Sequence, residues 1–65
     1  MQNTIPDLRR ERGWSQQRLA EELGVSRQTV ISIERGRFDP SLPLAFALAR
    51  VFERRIEEIF TDASA

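Results

Sequence analysis

The 65-residue sequence contains no cysteine, histidine, lysine or tyrosine. Without cysteine there can be no disulfide and no thiolate metal site. Catalysis would depend on carboxylates and hydroxyls alone, in a chain that buries only about 60% of its unfolded surface. The sequence therefore predicts one small domain, residues 1–65, that is not an enzyme and has no metal or cofactor.

Long apolar runs and an excess of charge are also missing. No segment approaches the length needed to cross a bilayer, and the N-terminus lacks the apolar core of a signal peptide. We therefore expect a cytoplasmic protein that does not bind membranes. The formal net charge is zero, which argues against coating nucleic acid by bulk electrostatics. However, residues 26–38 carry three arginines and one glutamate, so the basic excess lies in one short segment.

The three glycines mark the ends of helical segments. Gly13, Gly24 and Gly36 each follow a run with helical periodicity, where a left-handed residue often ends a helix. Ser15, Ser26 and Ser41 stand at N-cap positions. The predicted helices are residues 5–12, 15–23, 26–35, 42–52 and a short fifth at 56–60. No useful alternation with period two occurs, so the fold class is all-α.

Two helix boundaries depend on weaker signals. Thr4 followed by Asp7 has the spacing of a capping box before the first helix. Residues 53–55 contain no glycine to end the fourth helix, and the apolar stripe continues to Phe60. A break there is favoured because an unbroken helix over residues 42–60 is long for so small a domain, but the sequence leaves both alternatives open.

The segment at 42–52 is apolar nearly all the way round, whereas a surface helix shows a single stripe. Such a helix is either the buried centre of a bundle or also faces a partner. The C-terminal segment, residues 42–60, is therefore predicted to form core and a dimer interface. The candidate interface residues are Phe46, Val51, Ile56, Ile59 and Phe60.

The strongest motif occupies residues 16–36, two short helices that meet at Gly24. Val25 fills the turn, and Ala20 is small enough for the second helix to cross closely. The inward-facing residues are Leu19, Leu23, Val30 and Ile33. This packing leaves one face of the second helix free, with Thr29 at its edge. The free face carries Arg27, Gln28, Ser32 and Arg35, which can hydrogen-bond base edges.

These residues resemble the Cro/cI-like (XRE-like) helix-turn-helix family of transcriptional regulators, over roughly residues 5–60. The resemblance is carried by Leu8-Arg9, Arg12-Gly13, Ser15-Gln16, Leu19-Ala20, the run from Leu23 to Val30, Ile33-Glu34-Arg35-Gly36, Asp39-Pro40-Ser41-Leu42 and Ile56-Glu57-Glu58-Ile59-Phe60. It implies a compact five-helix lambda-repressor-like domain that binds double-stranded DNA.

The resemblance also implies a role for individual residues. Base reading falls to Arg27, Gln28 and Ser32, and the free face adds Thr29 and Ile31. For Ile31, contact with a thymine methyl is favoured over packing beside the first helices. The phosphate-binding residues are Gln16, Arg35, Arg37 and the backbone around Phe38. Arg9 and Glu34 match a partly buried structural ion pair.

A single module reads too few bases to find one genomic site, so we expect a homodimer on a pseudo-palindromic operator. Its output is predicted to be repression. The alternative is an antitoxin-like or other protein-interaction module, whose apolar C-terminal helices bind a partner protein. Binding of a specific duplex without any partner would favour the regulator.

Overall fold

A computed structural model describes residues 1–61 and shows the five helices that the sequence predicts, so the all-α fold class is confirmed. Two very short strands lie at the ends of the described chain. The helices are α1 Ile5–Glu11, α2 Gln16–Leu23, α3 Arg27–Glu34, α4 Leu42–Phe52 and α5 Ile56–Ile59; the strands are β1 Gln2–Asn3 and β2 Phe60–Thr61. No helix among residues 1–61 is long and apolar enough to span a membrane.

The three predicted serine caps are confirmed. The Ser15 hydroxyl accepts a hydrogen bond from the Arg18 backbone N–H at 3.0 Å. Ser26 and Ser41 do the same three residues ahead, at 3.1 and 3.3 Å. Each bond satisfies one of the amides that a helix N-terminus leaves without a partner. The starts of α2, α3 and α4 are therefore fixed by local chemistry.

The predicted capping box at the start of α1 is wrong. Thr4 makes no side-chain cap bond to the helix. Its hydroxyl instead donates to the carbonyl of Glu58 at 3.1 Å. The Asn3 side-chain oxygen accepts from the Ile5 backbone N–H at 3.1 Å. The first amide of α1 is thus bonded by the side chain before the N-cap residue, while the hydroxyl of Thr4, the N-cap residue, contacts the C-terminal segment.

The fifth helix is one residue shorter than predicted because Phe60 leaves the helix in an extended conformation. It pairs antiparallel with Asn3, next to the pair formed by Gln2 and Thr61. Two residues per strand are too few to produce an alternating sequence pattern. This pairing therefore left no signal in the sequence.

The break between α4 and α5 is present, and it occurs at Glu53. This residue has a φ of 54°, the only positive φ at a non-glycine position among residues 1–61. The left-handed region is unfavourable for a residue with a Cβ atom. Beyond the break, the Arg55 backbone N–H donates to the Glu58 carboxylate at 2.9 Å. This bond lowers the pKa of Glu58, so its stabilisation of α5 is lost as the pH falls.

The hydrophobic core is formed by buried side chains from all five helices and from Phe60. Ile59 is fully buried and Phe60 is 8% exposed. Both are predicted interface residues, but their side chains are covered within the chain, which leaves them almost no surface for a partner. Val51 and Ile56 are partly buried against the core, whereas Phe46 is 48% exposed. Phe46 is thus the candidate with the most surface left for a partner.

Replacing Glu53 by glycine tests the strain at the break. Glycine adopts positive φ without steric cost, so we expect Glu53→Gly to be more stable than Glu53→Ala by about 1 kcal/mol. Both variants lose the exposed ion pair to Arg12, so their difference isolates the backbone. Urea unfolding measures both. Equal stability of the two variants would contradict a strained Glu53.

Candidate nucleic-acid interface

A tight turn sets the angle between α2 and α3. Gly24 ends α2 with a φ of 73°, and the Val25 backbone N–H donates to the carbonyl of Ala20 at 3.0 Å. Ala20 is 1% exposed, which allows the two helices to approach closely. Leu19, Val30 and Ile33 are also buried. The pair is held by apolar packing on one side, so the opposite side of α3 is left to the solvent.

The outward side of α3 carries the residues that the sequence predicts for base reading. Arg27 and Gln28 are exposed, and Ile31 and Ser32 are half-buried. Thr29 lies beside them, but its hydroxyl is 2.9 Å from the hydroxyl of Ser26. That contact makes Thr29 part of the helix cap. The other four predicted residues are at least partly exposed, and none of their side chains makes a hydrogen bond to a neighbouring side chain within residues 1–61.

Ile31 does not belong to the core cluster or to the apolar side chains packed against it within residues 1–61. This observation argues against the alternative in which Ile31 packs beside the first helices. A half-buried β-branched side chain outside the core can offer a methyl-sized apolar contact to a ligand. Thymine is the base that presents a methyl group in the major groove.

A charged network holds the last turn of α3. Arg9 Nε lies 2.8 Å from Glu34 Oε2, and the two side chains are 14% and 7% exposed. Arg9 also donates to the Trp14 carbonyl at 2.9 Å. The Gln16 side-chain amide donates to Glu34 Oε1 at 3.2 Å. The two residues predicted to form an ion pair are therefore joined, and Gln16 is attached to the same carboxylate.

Gln16 also lines an open groove at the start of α2. The groove is lined by Arg9, Ser15, Gln16, Gln17 and Arg27. A helix N-terminus points its free N–H groups toward such a groove and favours an anion there. Arg27 adds a full positive charge from the start of α3. The predicted phosphate residue Gln16 and the predicted base-reading residue Arg27 therefore line the same groove.

The remaining predicted phosphate residues follow α3. Arg35, Arg37 and Phe38 are exposed, and the Arg37 backbone N–H donates to the Ser32 carbonyl at 3.0 Å. This bond turns the chain back along the end of α3. Among residues 1–61, Arg27, Arg35 and Arg37 take part in no salt bridge. Arg50 and Arg54 make none either, whereas the other five arginines do. Three uncompensated arginines thus lie on α3 and the loop after it.

Asn3 supports the end of α3, and nothing in the sequence predicts this role. Its side-chain N–H donates to the Ile33 carbonyl at 2.8 Å, across thirty positions in the chain. The same side chain caps α1 through its oxygen. It therefore links the first helix to the last turn of α3. A single asparagine near the N-terminus carries no periodic or motif signal that could have identified this contact.

Together, a fixed helical pair, an outward polar face on the second helix and uncompensated arginines define a helix-turn-helix DNA-binding domain. A family model described as Helix-turn-helix matches residues 7–59. The chain belongs to this XRE-like helix-turn-helix family of DNA-binding transcriptional regulators, a class that is not enzymatic.

Curated relatives match nearly the whole chain. An uncharacterized HTH-type transcriptional regulator of Methanocaldococcus jannaschii is 50% identical over 60 residues, covering 92% of this chain and 91% of that protein. One from Methanothermobacter thermautotrophicus is 49% identical over 61 residues, covering 92% and 88%. The regulator YgzD of Bacillus subtilis is 43% identical over 60 residues, covering 92% and 91%. The similarity thus covers most of this chain and most of each of these regulators.

The buried pair is tested by two arginine substitutions on the same helix. Arg9→Ala leaves the Glu34 carboxylate buried without its main partner, and we expect a loss of about 3 kcal/mol in unfolding free energy. Arg10→Ala removes an exposed pair with Asp7 and is expected to cost less than about 1 kcal/mol. Denaturant unfolding measures both. Similar losses in the two variants would show that the Arg9–Glu34 pair has no special role.

Proposed function

We propose that the protein is a sequence-specific transcriptional regulator that binds double-stranded DNA as a homodimer in the cytoplasm. In this proposal α3 is the recognition helix and lies in the major groove. Five arginines make no salt bridge within residues 1–61, and two of them, Arg50 and Arg54, lie on α4 or shortly after it. The observation that carries the proposal is the position of the other three, Arg27, Arg35 and Arg37. All three lie on α3 or directly after it, on a chain whose formal net charge is zero.

Arg27, Gln28 and Ser32 are the proposed base-reading residues. Arginine can bond guanine through two hydrogen bonds, and glutamine can do the same with adenine. Gln28 and Ser32 are four residues apart and so lie on one side of α3. Ile31 is proposed to add an apolar contact. Thr29 supports this set through its contact with Ser26.

Phosphate contacts are proposed for Gln16, Arg35, Arg37 and the backbone of Phe38. Gln16 is already fixed by Glu34, so its amide is pre-positioned beside the N–H groups at the start of α2. Arg35 and Arg37 lie at the other end of the recognition helix. Phosphates would thus be held at both ends of α3, which fixes its register in the groove. With so few contacts, we expect a modest salt dependence per subunit.

A homodimer is proposed because one module of this size covers only about 600–1,000 Å² of DNA. Two recognition helices would enter successive major grooves about 34 Å apart. Phe46 is the strongest interface candidate because 48% of it is exposed. Val51 and Ile56 offer smaller areas. Occupation of a promoter by such a dimer would block transcription, so repression is the proposed output.

Replacing Arg27 separates base reading from general charge attraction. We expect Arg27→Ala to cost about 1–3 kcal/mol at one base position and to relax specificity there. Arg50→Ala is the matched control, since Arg50 is also exposed but lies on α4. Binding is measured on a panel of duplexes that differ at single positions. Equal weakening on every duplex would make Arg27 a phosphate contact.

The function itself is tested by selecting bound duplexes from a random DNA library at two salt concentrations. Enrichment of a pseudo-palindrome with half-sites about one helical turn apart is the expected result. Denaturant unfolding of the wild-type protein shows that it is folded under the selection conditions, and Arg27→Ala supplies a specificity control. Lack of enrichment at both salt concentrations with folded protein would overturn the proposal.

A protein-interaction module is the second candidate function, and the exposed face of α4 favours it. Leu42 is 64% exposed and Phe46 is 48% exposed, four residues apart on one side of the helix. Exposed apolar residues at such spacing are typical of a surface that another chain covers. An antitoxin-like partner contact would use the same face as a homodimer. Sedimentation of the protein alone, and after co-expression with the products of neighbouring genes, distinguishes a homodimer from a complex with another protein.

A further inference from the structure

The side chain of Phe38 has no role in the function proposed so far, which uses only its backbone. It is 47% exposed and lies in the loop between α3 and α4. The other large apolar side chains exposed to this degree within residues 1–61 are Met1, Leu42 and Phe46. Phe38 is the one of these that stands beside the outward face of the recognition helix.

Phe38 forms one side of a shallow pocket against α3. The other lining residues are Ser26, Gln28, Thr29 and Ser32, and the pocket volume is about 150 Å³. Gln28 and Ser32 are two of the proposed base-reading residues. The pocket therefore opens on the surface that would meet base edges, and it combines an aromatic wall with an amide and hydroxyl groups.

The chemistry of this pocket selects one kind of group in the major groove. Base edges there present hydrogen-bond donors and acceptors, except for the C5-methyl group of thymine. An aromatic ring gives such a methyl group an apolar contact, and the Gln28 amide and Ser32 hydroxyl can bond the neighbouring polar atoms of the base. The Thr29 hydroxyl already pairs with the Ser26 hydroxyl, so Gln28 and Ser32 are the groups left to bond the polar atoms of the base.

We propose that Phe38, with Gln28 and Ser32, forms a specificity pocket for the C5-methyl group of a pyrimidine in the operator half-site. Thymine is the ordinary source of this methyl group, and 5-methylcytosine carries the same group at the same place on the ring. The inference rests on the proposed DNA-binding function. It adds Phe38, which lies outside the recognition helix, to the residues that determine sequence specificity.

The test removes the methyl group from the DNA and the ring from the protein. Each thymine of the selected duplex is replaced in turn by deoxyuridine, which differs only by the methyl group. We expect the wild-type protein to bind about fourfold more weakly when uracil replaces the thymine that Phe38 contacts in each half-site, the effect of one buried methyl group. A second sensitive thymine would belong to Ile31 and would stay sensitive in Phe38→Ala. Phe38→Ala is expected to bind the thymine duplex more weakly and to bind the thymine and uracil duplexes equally well.

Two further variants control for other effects of the substitution. Leu42→Ala also removes an exposed apolar side chain, from α4, and is expected to keep the preference for thymine. Phe38→Leu keeps an apolar side chain and is expected to keep part of that preference, which protects the test if the alanine variant folds poorly. Loss of affinity in Phe38→Ala with an unchanged thymine preference would place the ring against the sugar-phosphate backbone and overturn the proposal.

A second arm identifies the methyl group as the group recognised. At the critical position, 5-methylcytosine is expected to bind better than cytosine by a similar factor, and equal binding of these two would overturn the pocket. Specific binding that ignores every thymine-to-uracil change would overturn the pocket and leave the proposed function intact. If the folded protein selects no duplex at all, the proposed function and this inference both fail.

Discussion

The position of the recognition helix depends on the carboxylate of Glu34. A glutamate in the last turn of a helix is unfavourable by itself, because the helix dipole is negative at that end. Here Arg9 of α1 lies 2.8 Å away and Gln16 of α2 donates to the same carboxylate. The three helices meet at this one side chain. An apolar residue at position 34 would pack, but it would not fix the directions of Arg9 and Gln16, which both border the proposed phosphate groove.

The same pairing explains how a chain with no net charge can present a basic surface. Glu34 is the only acidic residue between positions 26 and 38, and Arg9 from another helix neutralises it. Arg27, Arg35 and Arg37 then carry the charge of that surface without a salt bridge within residues 1–61. Residues 39–65 hold five acidic side chains against three arginines. A DNA duplex would therefore be attracted to one side of the molecule, since local potential and not net charge steers association.

The sequence predicts those parts of the fold and of the site that local chemistry determines. Ser26 caps α3 and Gly24 ends α2 because each acts on amides and carbonyls within a few residues. The predictions that failed concern contacts between distant parts of the chain. Thr4 has the local spacing of a cap, but its hydroxyl reaches Glu58. Asn3 reaches Ile33 without any pattern that marks it. The outward position of Arg27 followed from periodicity, whereas the pocket beside Phe38 depends on how the loop after α3 turns back.

The break at Glu53 determines which surfaces remain for a partner. By turning the chain, it directs Ile59 and Phe60 into the core, whereas Phe46 on α4 stays exposed. It also brings Phe60 to pair with Asn3, whose side chain holds the Ile33 carbonyl in the last turn of the recognition helix. The C-terminal segment is thus joined through Asn3 to the end of α3. A partner that binds α4 or α5 would act on a segment that already supports the recognition helix. The proposed dimer would therefore be coupled to the orientation of that helix through Asn3.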